Sequence, residues 1–440
     1  MEEQFWMKWF TTFLFCWLTL SGFVCSQDTL DLPEAIALGM ENNFSIKISD
    51  RLLDITTNNN SMGNAGFLPT LDLSGLRRYT KENTSQTFAN GQEQNRDGAK
   101  SNTINAGAEI NWTIFDGIGM FHRKNRLGTL EKKGIAMNES VVQNVIAQIG
   151  KEFYTVALEQ LREELLKENI QLSEVRINIA RNKYEFGKAS KLEYLQAQVD
   201  LNRDKSNLMI QQERLAASKT ALNELLARDV TLDFYVKFDP QLNRNLQFEE
   251  LHESLLTKNP ELLAGKNQID VSAMEKKEIA SERIPQFDVS AGYNFIKSES
   301  EAGFSLQRRS NGFNYGFGAS WNIFDGLNLN RRIQNADIAI ENSKLDFESR
   351  KLSLERALYS TFITYQNNIR LHVLEEENRT VARENNEIAT ERYRIGNTSP
   401  LELREAQINL LEANIRLLNA AYAIKTTEIE LLLLAGMITQ

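Results

Sequence analysis

From about Met120 to Phe186, and again from about Leu329 to Ile395, the chain runs without a proline through charged, heptad-spaced sequence. Leu158, Leu165, Leu172 and Ile179 mark the apolar repeat in the first run, and Leu374, Val381 and Ile388 in the second. At 1.5 Å per residue, a helix as long as either run reaches ~100 Å. No compact globule accommodates that length, so the chain must build a shaft and must build it twice.

The duplication extends to the flanks. NWTIFDG at 111–117 returns as SWNIFDG at 320–326, so that Trp112 answers Trp321 and Asp116-Gly117 answers Asp325-Gly326. Upstream, Leu32, Glu34, Asn43 and Pro69 align with Phe248, Glu250, Asn259 and Pro285. Downstream, Tyr184, Gly187, Ser190, Leu192, Glu193 and Ala197 align with Tyr393, Gly396, Ser399, Leu401, Glu402 and Ala406. The offset changes once, between Pro69 and Trp112, which places an inserted loop there. A period this long marks a duplicated half-molecule, since solenoid repeats recur every few tens of residues.

Ahead of each long run the pattern has period two. Ile104, Ala106, Ala108, Ile110, Trp112 and Ile114 alternate with polar or small residues, as do Phe287, Val289, Ala291, Tyr293 and Phe295, then Phe313, Tyr315, Phe317, Ala319, Trp321 and Ile323. These read as strands with one greasy and one wet face. The strand from Leu71 and Leu73 towards Tyr79 is fainter, because Arg77 sits on its apolar face, and Lys81–Ser101 reads as a polar surface loop. Two hairpins result, at 68–115 and 285–324, with arms long enough at a steep tilt to cross a hydrocarbon layer. A sandwich is the alternative, but four strands whose polar face is rich in Gly, Ser and Asn make a poor one. Trp112, Trp321, Tyr315 and Phe324 fit a barrel wall or an interfacial aromatic belt.

Shorter helices return along the shaft, from Pro33 to Asn59 and from Ser190 to Arg228, and the prolines fall at element edges. The organisation expected is a signal peptide at 1–26, a first repeat at 27–228, a connector at 229–245 whose TLDFYVKF could form a short strand, and a second repeat at 246–440. The leader is read from the apolar run Trp9–Val24 and from Val24-Cys25-Ser26 ahead of Gln27, with an uncleaved anchor or an acylated Cys25 as alternatives.

Several function classes fall away. Both cysteines, Cys16 and Cys25, lie in that leader, and the three histidines, His122, His252 and His372, read as helix-surface residues with no ligand-pair spacing. No nucleophile motif, metal spacing or phosphate loop appears, so no catalytic, cofactor or metal residues are expected and the chain does not read as an enzyme. A formal charge of −9 disfavours nucleic acid. No later apolar stretch reaches the ~18 residues of a spanning helix, so strands would have to hold the chain in a membrane.

Four membrane strands cannot close a barrel alone, since an open edge in lipid leaves backbone groups unpaired. The doubled W-x-I-F-D-G, the doubled Tyr-x-x-Gly before Ser-x-Leu-Glu, the helix-opening LPEAIALGMENN and their order across the mature chain resemble the TolC family of outer-membrane efflux and secretion channels. The resemblance implies a homotrimer: a twelve-stranded β-barrel in the outer membrane of a Gram-negative bacterium, continued by an α-helical coiled-coil tunnel across the periplasm. It implies the passive exit duct of a tripartite efflux pump or type I secretion system, opened by a periplasmic adaptor and an inner-membrane transporter of RND, ABC or MFS type, and embedded in outer-membrane lipid. A periplasmic coiled-coil scaffold without channel activity is the alternative.

Site residues follow residue by residue. Tyr184, Gly187, Ser190, Leu192, Gly396, Ser399, Pro400 and Leu401 mark the two helical turns at the tunnel entrance, which the resemblance makes the adaptor-docking surface. Ser190 to Glu193 and Ser399 to Glu402 also read as capping boxes, with each glutamate reaching back to its serine. The resemblance puts acidic residues at the positions of Glu402 and Glu405, which share a helix face, and so implies that three copies ring the closed pore with six carboxylates that favour cations. By the same resemblance Tyr393 and Glu193 match positions that bond neighbouring turns shut. Asp116-Gly117 and Asp325-Gly326 read as the points where strand ends and a capped helix begins.

Overall fold

The computed structural model describes residues 29–237, 242–302 and 305–438. The expected leader, residues 1–26 with Cys16 and Cys25, lies outside them. The chain divides into two compact units, one of Met1–Phe44, Asn144–Gln247 and Ser360–Leu433, the other of Ser45–Gln143, Phe248–Tyr359 and Leu434–Gln440.

The second unit holds the sheet. Strands β2 (Thr70–Thr87), β3 (Glu93–Asp116), β5 (Gln286–Ser300) and β6 (Gln307–Ser320) pair antiparallel in that order, leaving β2 and β6 as edges. Direct pairing stacks Leu71, Ile110, Ala291 and Tyr315 in one row, and Leu73, Ala108, Tyr293 and Phe313 in the next, so one face is apolar from edge to edge. Phe313, Tyr315 and Phe317 are each 85% exposed on it. The opposite face carries Asp72, Glu109, Asn294 and Asn314, with glycines between.

The sequence reading of Lys81–Ser101 as a loop is corrected here. β2 and β3 continue as strands to Thr87 and from Glu93; past Lys100, whose carbonyl still accepts from the Glu301 N–H at 3.0 Å, they pair only with each other. This two-stranded ribbon is polar on both faces, so no apolar alternation betrays it. The second hairpin is corrected the other way: β6 stops at Ser320, and Trp321, Ile323 and Phe324 lie beyond the strand.

Helices flank the sheet in the chain. α3 (Gly119–Glu185) and α7 (Asn328–Arg394) are each continuous over 67 residues. Their partners are α4 (Lys191–Leu225) and α8 (Pro400–Leu434), each of 35 residues. The helix expected over Pro33–Asn59 is two helices, α1 (Leu32–Asn42) and α2 (Phe44–Asn59), broken at Asn43, whose side-chain amide donates to the Leu225 carbonyl at 2.8 Å. Its aligned counterpart behaves alike: Asn259 separates α5 (Phe248–Lys258) from α6 (Pro260–Ser281) and donates to the Leu434 carbonyl at 3.0 Å. An asparagine can end one helix, cap the next and bond a third element at once. None of the described helices is long and apolar enough to cross a membrane.

In the first unit, β1 (Thr29–Leu30) pairs in parallel with β4 (Tyr235–Val236) from the connector. Gln160 of α3 brackets Val236, accepting from its N–H at 2.9 Å and donating to its carbonyl at 3.3 Å. Along α7, Leu358, Tyr365, Asn386 and Tyr393 fall on one buried heptad series, with Asn368 and Glu375 buried on a second. The stripe expected to pack, Leu374, Val381 and Ile388, lies two positions round the helix and is exposed within the single chain. Both sets have period seven, and periodicity alone does not say which faces inward.

Candidate gate and docking turns

Two helical turns close the first unit's helix pairs, and their backbones match. After α3, Gly187 stands at φ +69 with its N–H on the Tyr184 carbonyl, and the Lys188 N–H reaches the Lys183 carbonyl. After α7, Gly396 stands at φ +85 with its N–H on Tyr393, and the Asn397 N–H reaches Arg392. Each pair of bonds is the Schellman ending, which needs a left-handed residue and so favours glycine. Ser190 then accepts from the Glu193 N–H at 3.3 Å and Ser399 from the Glu402 N–H at 3.2 Å, capping α4 and α8.

The reciprocal half of the expected capping boxes is replaced by other bonds. The Glu193 carboxylate receives the Tyr393 hydroxyl at 2.8 Å, and the Glu402 carboxylate receives the Thr398 hydroxyl. Tyr393 is only 1% exposed, with the Lys183 ammonium 3.8 Å from its ring centre and donating to its carbonyl at 2.9 Å. Burial, then the bond to Glu193, holds the Tyr393 phenol well above its usual range. Glu402 and Glu405 are exposed on one face of α8. Leu192 and Leu401 are exposed beside the turns, with Phe186 and Ile395.

Beneath the turns lies an ion cluster that sequence reasoning missed. Arg404 of α8 makes a two-pronged bond to Asp204 of α4, at 2.8 and 3.0 Å, and Ser173 of α3 donates to the same carboxylate at 2.6 Å. Arg176 pairs with Asp200 at 3.0 Å. Ser173, Arg176 and Asp204 are all buried. Burial, with the Arg404 charge second, pulls the Arg176 guanidinium below its ordinary value, opposed by Asp200 and Asp204. Asp204 comes seven residues after Ala197 on the buried face of α4. A charge on an apolar stripe was the available signal.

The strand-to-helix junctions are also built twice. Asp116 accepts from the Met120 N–H at 2.9 Å and Asp325 from the Leu329 N–H at 2.7 Å. Gly117 and Ile118, like Gly326 and Leu327, take consecutive left-handed conformations. Trp112 donates its indole N–H to the Phe67 carbonyl at 2.9 Å, and Trp321 to the Arg283 carbonyl at 3.0 Å. Both carbonyls stand two residues before the proline that opens a hairpin, so each tryptophan ties a strand exit to a strand entrance. Nearby, burial raises the Glu278 carboxyl, but bonds from Arg123 at 2.6 Å and Arg126 at 2.9 Å outweigh it and hold the group below its usual range.

A family model described as outer membrane efflux protein matches residues 39–228 and 251–437. Among solved structures, the chain is similar to the outer-membrane channel OprN at 16% identity, with 92% of this chain and 89% of that one covered and a TM-score of 0.75. Against the Campylobacter jejuni CmeC outer membrane channel the figures are 15%, 92%, 85% and 0.77. Against the Vibrio cholerae outer membrane protein VceC they are 14%, 92%, 96% and 0.73. No curated protein sequence matches the chain.

Proposed function

The chain belongs to the outer membrane efflux protein family, and from that premise we propose how its parts divide the work of an outer-membrane efflux channel. Three copies pool their four-stranded sheets into one barrel and their helices into one periplasmic tunnel. The observation that carries this is the sheet with two unpaired edges and a continuous apolar face, which no single chain can seal in lipid. The exposed heptad stripe Leu374, Val381 and Ile388 supplies a seam for the neighbouring copy. The scaffold alternative finds no support in the family match.

The turns form the entrance. Tyr184, Gly187, Ser190 and Leu192 on one, and Gly396, Ser399, Pro400 and Leu401 on the other, are the docking surface for the helical hairpins of a periplasmic adaptor. That adaptor links the duct to an inner-membrane transporter of RND, ABC or MFS type, and the duct itself is passive. The bond from Tyr393 to Glu193 keeps adjacent turns together, and adaptor docking opens them. The organisation into repeats at 27–228 and 246–440 around a connector at 229–245 follows, one hairpin and one turn per repeat.

Glu402 and Glu405 from three copies line the closed entrance and select cations. The barrel's wet face also carries Asp72, Glu109 and Asp288, so the test must separate the two. Planar-bilayer reversal potentials are measured for the wild type, for Glu402→Gln with Glu405→Gln, and for Asp72→Asn with Asp288→Asn. Loss of cation preference in the first variant only is the expected result. Unchanged preference in that variant removes the ring.

A further inference from the structure

On the apolar face of the sheet, the end farthest from the helices is cationic. Following direct pairings, the row above Phe295 reads Arg77, Ile104, Lys297 and Arg309, and two rows further out Lys81 stands opposite Lys100. Two of these pairings, Lys297 with Arg309 and Lys81 with Lys100, set like charges directly across from one another, an arrangement that destabilises a sheet unless an anion lies between them. Between the two rows stands Glu299, which pairs with Lys297 at 2.8 Å, and beside Lys100 stands Glu301, whose carboxylate accepts from the Lys100 N–H at 3.1 Å, so the five cations outnumber two carboxylates. The guanidinium of Arg77 lies 4.7 Å over the Tyr79 ring, and that of Arg309 5.4 Å over Phe295, so aromatic rings hold both at the rim of the apolar surface. From the Phe287 row to the Lys297 row, strand rise at a steep tilt gives a band ~25 Å tall, the thickness of an outer-membrane hydrocarbon layer.

We propose that this rim, Arg77, Lys81, Lys100, Lys297 and Arg309, is a binding belt for phosphate groups carried by lipids of the outer leaflet. The inference rests on reading the sheet as a membrane wall. Charge complementarity fixes the chemistry: the cations stand where the apolar band ends, the height of outer-leaflet headgroups, and phosphate monoesters accept from several ammonium and guanidinium groups at once. Arg78 and Arg308 stand in the row just beyond Arg77 on the wet face, where they cannot reach lipid. They supply a control for loss of positive charge on the opposite face.

The full-length protein is placed in phosphatidylcholine nanodiscs containing a bis-phosphorylated lipid A or its dephosphorylated analogue, and retained lipid is counted by native mass spectrometry. The wild type should retain the phosphorylated lipid at least about tenfold better, on the scale of about fivefold per cation near an anionic headgroup. A variant with Lys81→Gln, Lys100→Gln, Lys297→Gln and Arg309→Gln should lose that preference, and Arg78→Gln with Arg308→Gln should keep it. Equal retention of both lipids by the wild type, equal loss in the control, or displacement by millimolar inorganic phosphate would overturn the belt. Bilayer conductance is recorded on the same samples. A wild type that inserts and conducts without lipid preference refutes the belt alone, whereas one that neither inserts nor conducts refutes the membrane reading and the belt with it.

Discussion

The turn after α3 and the turn after α7 share a backbone and differ in almost every side chain that holds them. Tyr184 is 41% exposed and stacks on Tyr194 of its own helix pair, while its counterpart Tyr393 is 1% exposed and bonded to Glu193. Leu195 is exposed, while its counterpart Arg404 reaches into α4 to grip Asp204. Asp204 in turn aligns with Ala413, which is buried but carries no charge. Duplication supplied two equal loops; divergence turned one into a bolt and left the other's surface free. In the proposed channel the free turn offers a surface to an adaptor, and the bolted one sets what the adaptor must release.

Cutting the bolt at its most buried point should have the largest effect. Arg404→Leu strips the two-pronged partner from a buried carboxylate and should cost about 3–5 kcal/mol in denaturant unfolding of the detergent-solubilised protein. The matched change at the first turn, Leu195→Ala, removes an exposed side chain and should stay within about 0.5 kcal/mol. Equal effects at the two sites would break the comparison.

The tyrosines sharpen it. Tyr393→Phe leaves Glu193 without its hydroxyl donor and should cost about 1–3 kcal/mol, while Tyr184→Phe should cost nothing measurable. The variant should also open the entrance, raising single-channel conductance where Tyr184→Phe does not. The pH dependence has a definite sign. Because the folded-state phenol of Tyr393 is held above its ordinary value of 10.0, the unfolded chain loses that proton first as pH rises. Stability from this group is therefore complete below pH 10 and declines above it, by up to about 1.4 kcal/mol per pH unit. Tyr393→Phe should lose that part of the alkaline slope, read as the difference between the two unfolding curves from pH 9 to 11.

How much of this was legible depended on what each residue's neighbours were. The strand faces, the long helices and the glycine turns were readable, because alternation, heptads and left-handed backbone leave local marks at Ile104 to Ile114, Leu158 to Ile179, Gly187 and Gly396. The ribbon at 82–99 was not, because it is polar on both faces, with Ala99 its one buried side chain, and so has no alternation to show. The ion cluster was not, because Asp204 and Arg404 meet across 200 positions of chain, and the place of Asp204 on an apolar stripe marks a buried charge without naming its partner. Arg77 is the instructive case. In sequence it only weakened a strand; in the sheet it falls in line with Lys297 and Arg309, and the apparent defect becomes the edge of an apolar band.

The smallest expected effect tests the half of the comparison that says the backbones are alike. Gly187 and Gly396 have open space where a Cβ would stand, so a side chain there meets no neighbour and only the left-handed φ opposes it. Gly187→Ala and Gly396→Ala should therefore cost the same, about 1–2 kcal/mol each, even though one turn is bolted and the other is not. Gly117 provides the contrast. A Cβ there would lie 2.3 Å from the Ser281 carbonyl oxygen, whereas at Gly326 the nearest atom is 3.8 Å away. Alanine should thus be tolerated less well at 117 than at 326, although both stand at φ +70. Unequal costs at the two turns, measured by the same unfolding curves, would mean that the bolt reaches the backbone as well as the side chains.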